Sequence, residues 1–270
     1  MRLTFAGVRF MIAGMLLFPF CRRPAALLER RVWGGVVAVA LGQTFFQYLF
    51  FYNGLSVSSG VLGALVMASS SFWWVLLAPV ALGTSPPTRL QWATLVACAG
   101  GIALAVWRPG AGAGQPVLGG VLFLGSSLAG AVALLAVRKL GGQVGAASLT
   151  AFSLFSGGVL LALCGIPGWG AFAGLVDVRV AVATLYLAAV SATAFGLWNR
   201  LAGEFSPNEL AGYRFLIPLC GTVLSASLVP GETIGAGAAV GGLLVVGALA
   251  VQGVLTKRNL VPPAAGGRPA

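Results

Sequence analysis

Residues 60–83 read GVLGALVMASSSFWWVLLAPVALG, twenty-four positions without a charged side chain. A helix needs about 20 mainly apolar residues to cross the hydrocarbon layer of a bilayer, so this stretch is long enough to span one. Working outward, eight further stretches qualify: 3–20, 32–51, 91–107, 117–137, 146–166, 180–199, 209–229 and 234–255. Between them lie separators rich in charged, Gly and Pro residues, such as CRRPAALLERR, TSPPTR, RPGAGAGQP and NRLAGEFSP. The pattern predicts an all-α membrane protein with nine transmembrane helices, since lipid tolerates only closed barrels and helices, which satisfy their own backbone.

Composition agrees. The 270 residues are 59% hydrophobic and only 8% charged, against about 25% charged in an average soluble domain. This excludes an ordinary soluble enzyme, a disordered tail and a fibrous repeat. There is no histidine, and only five Asp and Glu residues occur, so a zinc site or a histidine-based catalytic site cannot be assembled. No metal and no cofactor is expected. The four cysteines (Cys21, Cys98, Cys164, Cys220) are far apart and form no CxxC pair, which disfavours a disulfide framework.

The net charge of +11 is not the footprint of a nucleic-acid binder, which gathers Lys and Arg on one face. Here they sit singly or in short clusters between apolar stretches, as loop anchors. GAGAG (110–114) follows no strand, and no GxxxxGK[ST] is present, so a nucleotide site is rejected. The expected partners are the lipid bilayer and a small-molecule substrate, with the chain a monomer or homodimer.

The basic residues also orient the chain. Assigning alternate separators to opposite sides puts Arg22, Arg23, Arg30, Arg31, Arg89, Arg138, Lys139, Arg200, Lys257, Arg258 and Arg268 on one side, against Arg2, Arg108 and Arg179 on the other. The positive-inside rule makes the first side cytoplasmic. Stretch 3–20 is read as a span, because Arg9 interrupts it and the basic cluster follows it, unlike a signal peptide.

The chain repeats itself. A shift of 148 brings Ser59 onto Pro207, Leu62 onto Leu210 and Gly83 onto Gly231, and a shift of 144 brings AGMLL (13–17) onto GGVLL (157–161). Corresponding spans are oppositely oriented by the arginines, which makes an inverted repeat, the plan of many secondary transporters. The first unit (1–110) has four spans and the second (111–257) five, followed by a cytoplasmic tail (258–270). Span 3–20 matches the second span of the later unit, so the first unit reads as one helix short.

Three stretches then carry a family likeness: FAGVRFMIAGMLL (5–17) with its Arg-Phe pair, residues 56–106, and LAGEFSPNELAGYRFLIPLCGTVLSASLVPGETIGAGAAVGGLLVVGALAV (201–251) with Pro218, Gly231-Glu232 and a glycine-spaced final helix. The chain resembles EamA-type members of the drug/metabolite transporter superfamily. That resemblance implies ten helices in two inverted five-helix repeats around a central cavity. It also implies carriage of small metabolites, often export of amino acids or related compounds, across a bacterial inner membrane by a multi-pass protein that is not an enzyme. Ser70 stands in the place of Pro218 in the first repeat, and Thr84 where the family often has an acid.

Polar side chains inside spans ask for a reason. Arg214, next to Tyr213, either holds a substrate carboxylate or snorkels to the interface or pairs with Glu209. Arg9 faces either the path or helix carbonyls. Gln43 and Gln47, four apart, share a helix face that either walls a cavity or bonds between helices. Ser69, Ser70 and Ser71 are able to bend span 60–83 at the depth where transporter sites lie, with Trp73 and Trp74 beside them. Tyr186 and Trp198 complete the substrate-binding candidates, with Ser126 and Ser127 as minor ones. Asn199 reads as a cap or loop residue. Gly237 and Gly241 form a GxxxG suited to close helix packing.

No carboxylate lies at mid-membrane, where a proton relay normally needs one, unless Glu209 at a span entrance or the missing helix supplies it. The reading is therefore gradient-driven export or exchange by alternating access. An inactive or truncated scaffold is the alternative, and a lipid-processing membrane enzyme a remoter one. Nine spans place the termini on opposite sides of the membrane. Reporter fusions at both ends are expected to give a cytoplasmic C-terminus and an external N-terminus, and two cytoplasmic ends would refute the count.

Overall fold

A computed structural model of the chain describes residues 1–22, 24–83, 86–107, 114–175, 177–204 and 216–260, with positions 252, 253 and 255–260 described by backbone alone. The described residues form helices and short connections, with no strand among them. In chain order the long helices are α1 (Arg2–Leu17), α2 (Arg30–Val57), α3 (Gly60–Leu82), α4 (Arg89–Trp107), α5 (Pro116–Leu140), α6 (Ala146–Cys164), α7 (Val178–Glu204), α8 (Leu216–Leu228) and α9 (Ala236–Leu260). Among the described residues, seven helical stretches are long and apolar enough to cross a membrane, and Leu216–Leu228 and Ala236–Val251 are shorter apolar helices. The expected span 209–229 is described only from Leu216 onward, and Glu209 lies outside the described residues.

Two boundaries move. α2 runs on through YNGLSV to Val57, and α7 continues to Glu204 through residues expected in a separator. The extension of α7 carries an i,i+4 pair, Arg200 Nε to Glu204 Oε1 at 3.0 Å. Such exposed pairs add only a few tenths of a kcal/mol, about 0.3–0.5, so good helix formers do most of the extending.

The connections gather at two ends. At the Arg-rich end, Ser148 donates to Arg22 O and Arg138 Nη1 to Ala202 O. At the Arg-poor end, Gln115 N donates to Val57 O, Thr4 Oγ1 to Gly165 O, and Gly60 N to Glu232. The alternation of separators read from the arginines is thus the alternation of ends in space.

Small residues decide which helices touch. Lipid tails are as apolar as Leu, so helices associate where backbones can approach closely. α1 lies on α6 in this way. A Cβ on Gly14 would sit 2.7 Å from Phe155 N and 2.8 Å from Ala151 O, and one on Gly158 would sit 2.7 Å from Met11 N and 2.9 Å from Gly7 O. These contacts exchange under the sequence shift of 144: Gly14 becomes Gly158, while Gly7 and Met11 become Ala151 and Phe155. The low numbers of α1 meet the high numbers of α6, so the helices run antiparallel.

α4 and α9 repeat the arrangement. A Cβ on Gly101 would lie 2.6 Å from Gly241 O and 3.1 Å from Val245 Cγ2, and one on Gly241 would meet Gly101 O and Ala105 Cβ. A shift of 140 exchanges Gly101 with Gly241 and Ala105 with Val245. Gly241 of the expected GxxxG therefore packs within the chain. α3 also packs on α8, where Gly221 sits against Ala64, and α5 packs on α2 and α3.

Two helices are irregular. α2 widens into a π-helical segment at Ala40–Phe46, a rare form that occurs mostly as a single turn inside an α-helix. α3 breaks at Ala68–Ser69 between Gly60–Met67 and Ser70–Leu82, with tight i+3 bonds such as Ser69 N to Val66 O at 2.9 Å. Both lie inside the bundle, and beside the π segment neighbours bond the backbone: Ser153 donates to Val39 O and Ser126 to Gln47 O.

Gly158→Ala and Gly101→Ala are expected to lower the melting temperature of the detergent-purified protein, an overpacking cost of about 1–3 kcal/mol each. Gly34, with nothing within 4 Å of its would-be Cβ, is the control. Gly34→Ala should leave stability unchanged or raise it, by at most about 1 kcal/mol of helix propensity.

Candidate functional site

The π segment of α2 is the centre of a buried polar cluster. Gln43 Nε2 donates to Asn199 Oδ1 at 2.9 Å, and Asn199 Nδ2 donates back to Gln43 Oε1 at 3.0 Å and to Thr150 Oγ1 at 2.9 Å. One residue along, Thr44 and Ser153 share a 3.0 Å hydroxyl contact. All five side chains are buried. The pair joins α2 of the first unit to α7 and α6 of the second. Asn199 is 1% exposed, which corrects the reading of it as a cap or loop residue: α7 continues past it, and the polar end of the predicted span is an interior position.

A second polar cluster sits at the break in α3. Ser69 Oγ lies 2.7 Å from Ser127 Oγ, and Trp73 Nε1 donates to Ser127 Oγ at 2.9 Å. The Trp73 ring walls an apolar groove of about 580 Å³ between α3, α4 and α5, with Phe72, Trp92, Val96, Ile102 and Val121.

Toward the Arg-poor end is an aromatic layer. Phe10 stands 4.4 Å from Tyr48 and 6.3 Å from Phe195, and Tyr48 lies 6.1 Å from Tyr52 between ring centroids. The Arg9 guanidinium sits 4.4 Å over Phe10 and 5.9 Å over Tyr48, within cation–π range. Above Tyr52 a vestibule of about 390 Å³ opens, lined by Arg2, Asn53, Ser56 and Gly165 among others.

The Arg-poor end is also tied across the two units. Glu232, between α8 and α9, accepts from Gly60 N at 2.8 Å, Val61 N at 3.1 Å and Ser225 Oγ at 2.8 Å. Ser59 accepts from Leu62 N at 3.3 Å. The first N–H groups of a helix lack intrahelical partners, and here a carboxylate and a hydroxyl take three of them, at the end where the helix dipole favours negative charge. An acid read only as a loop residue is thus a cap supplied by the opposite unit. The Gly-Glu pair after a span is the signal for it, but nothing in the spacing says which helix it caps.

The sequence-predicted residues divide. Gln43 is in the buried amide pair. Gln47 turns instead to α5, its side chain against Gly130; the two glutamines do not form one stripe, because the π segment places a wider turn between them. Trp73 is in the serine cluster, whereas Trp74 faces the other way into the apolar core with Val36 and Leu134. The hydrogen-bonding serine of the break is Ser69, while half-buried Ser70 opens the next helical segment. Trp198 is half-buried beside Asn199 on α7. Tyr186, 67% exposed, lies on the outer face of α7 with Val190 and Thr193, away from the clusters. Tyr213 and Arg214 lie outside the described residues. Ser126 and Ser127 are fully buried and bonded. Tyr48, next to Gln47 on α2, brings its ring against α1 and α7 together, at Phe10 and Phe195. The four cysteines are free, and the described residues hold no cluster of metal-ligating side chains.

Comparison with known proteins bears on the same elements. Residues 2–107, α1 through α4, match the model of the EamA-like transporter family, a family of membrane transporters and not of enzymes. Thirteen chains of solved structures match the chain. One, a crystal structure described only as that of a protein, superposes with a TM-score of 0.63 at 19% identity, covering 95% of this chain and 89% of its own; this shows a shared fold. No curated protein matches. The helices, their apolar surfaces and the match over residues 2–107 make this a multi-pass membrane protein whose first four helices are similar to the EamA-like transporter family.

The amide pair gives a quantitative test. Leaving a buried polar partner unpaired costs about 1–3 kcal/mol. Asn199→Leu should destabilise more than Gln43→Leu, since Asn199 also serves Thr150. A double-mutant cycle by unfolding in bicelles is expected to give a coupling energy of about 0.6–1.7 kcal/mol, the range found for polar pairs between membrane helices.

Proposed function

We propose that the whole chain is an EamA-type transporter of the drug/metabolite transporter superfamily, built as two inverted repeats and moving small metabolites by alternating access. The observation that carries the reading is the reciprocal pairing of α1 with α6 and of α4 with α9. Antiparallel contacts that exchange under the sequence repeat are what a two-fold axis in the membrane plane produces. The EamA-like match over residues 2–107 supports it independently. The Arg-rich end is then cytoplasmic, and the membrane is the inner membrane of a bacterium.

In this reading the path runs between the units, and the polar contacts that bridge them are its closures. At the outer end Glu232 of the second unit holds the start of α3 in the first. Deeper, Gln43 of the first holds Asn199 of the second. Rocking one unit on the other breaks one bridge while keeping the other. The breaks in α2 and α3 lie where discontinuous helices expose backbone to a solute in transporters. The cargo is a small metabolite, an amino acid or related compound. Movement follows the solute gradient, because the described acids, Glu29, Asp177, Glu204 and Glu232, all lie at helix ends or in connections.

Proteoliposomes holding the purified chain, loaded with a panel of radiolabelled amino acids, are expected to show saturable efflux that collapses when the gradient is dissipated. Folded protein with no flux for any member of the panel would refute the reading.

A further inference from the structure

Arg9 is a half-buried charge midway along α1, with no carboxylate paired to it among the described residues. It lies seven residues into α1, and its guanidinium rests on Phe10 and Tyr48. Its Nε is buried and has no hydrogen-bond partner. The described acids are committed elsewhere or exposed at an end. Asp177 accepts from Val180 N, Glu204 pairs with Arg200, Glu232 caps α3, and Glu29 is exposed before α2. A cation at this depth costs several kcal/mol unless something answers it, about 2.5–3.5 on insertion scales, and rings alone satisfy one face of a guanidinium while leaving its N–H edge unbonded.

The surroundings show how an answering group would arrive. Arg2 and Arg9 are seven apart on one helix, hence two turns and about 10 Å apart on the same face. Arg2 lines the vestibule at the Arg-poor end with Tyr52, Asn53 and Ser56. Tyr52 and Tyr48 step down from it to Arg9. The vestibule's 390 Å³ falls within the roughly 300–1,000 Å³ of small-ligand sites.

We propose that Arg9 is a binding residue for a small organic carboxylate, which enters by the Arg2 vestibule and meets the free Nε edge of the guanidinium with its two oxygens. The inference rests on the transporter reading and names the solute class for the same path. Arg is the side chain for this contact: its planar fork matches a carboxylate bidentately, and Lys offers only a point charge. The Tyr48 and Tyr52 rings, 6.1 Å apart and tilted by 38°, favour a solute whose remaining body is flat and apolar.

The test uses the full chain in lipid nanodiscs, with benzoate as the probe and its neutral amide, benzamide, as the comparison. Benzoate is expected to bind, and Arg9→Gln to weaken it by roughly tenfold or more. Arg9→Lys should restore part of the loss, and benzamide should bind equally to all three proteins. Should Arg9→Gln fail to fold, the wild-type protein answers the question: benzoate should slow modification of Arg9 by phenylglyoxal, read by peptide mass. No benzoate binding at millimolar concentration, unchanged affinity in Arg9→Gln, or unprotected Arg9 would each overturn the proposal. Benzoate binding that depends on Arg9 in a protein with no flux would unseat the transporter reading and leave the carboxylate site standing. Amino-acid flux with no Arg9-dependent benzoate binding would do the reverse.

Discussion

The bundle depends on backbones being allowed to touch. In water a helix pair is driven together by burying apolar surface; in hydrocarbon that drive is absent, and close approach with good packing replaces it. Gly7, Gly14 and Gly158 set α1 on α6, and Gly101 and Gly241 set α4 on α9. Both contacts are extensive, and in each the two helices exchange small residues at their closest approach. The abundance of glycine, which would weaken helices in a soluble protein by up to about 1 kcal/mol each, here locates the interfaces.

Once the helices are placed, polar residues have two jobs. Some bond backbone that the fold loosens, as Ser126 does at Gln47 O beside the π segment, or tie an irregular segment to a neighbouring helix, as Ser69 with Ser127 does at the break in α3. Others connect the halves, as the amide pair and Glu232 do. Trp73 belongs to both sets of neighbours at once, bonded to Ser127 on one edge and lining the apolar groove with its ring. An indole suits such a boundary, because it carries one donor on a large apolar body. Irregular helix is tolerated at this depth only where protein or a water-filled cavity meets it, so both irregularities mark the interior and not the lipid face.

Much of this was legible in the residue order, and the exceptions share a cause. Span positions follow from apolar length, and the sidedness of the loops from a handful of arginines, because both signals are local. The shift of 144 that aligns AGMLL with GGVLL even predicts which residues trade places in the α1–α6 contact. Pairings between distant residues were not legible. Asn199 looked terminal since charged residues follow it within five positions, yet the helix carries those outward and leaves Asn199 inside. Gln43 and Gln47 looked like one stripe because α-helical spacing was assumed, and nothing in ALGQTFF announces a wider turn. Trp73 and Trp74 are neighbours whose destinations differ by one helical step, groove against core, and only packing tells them apart. The EamA-like match to residues 2–107 covers the unit with four spans, while the second unit is tied to it by the contacts described here.

The two bridges between the units differ in chemistry in a way that depth explains. Glu232 holds its partners with a formal charge, and it lies at an end of the bundle, half-buried, where water and the α3 helix terminus stabilise the carboxylate. Gln43 and Asn199 hold theirs as neutral amides and are buried. Exchanging the two would fail at either site. A carboxylate at the depth of Gln43 would carry the desolvation cost of an unpaired ion, and an amide in place of Glu232 would offer one acceptor oxygen where two backbone N–H groups and a hydroxyl converge. A charged bridge near water breaks readily, because the freed groups are solvated at once. A reciprocal amide pair at depth breaks only if something polar replaces it, and a solute or the water accompanying it is such a replacement. Under the proposed transporter function, the deep amide bridge would respond to occupancy of the interior in a way the Glu232 bridge would not, and that asymmetry follows from depth alone.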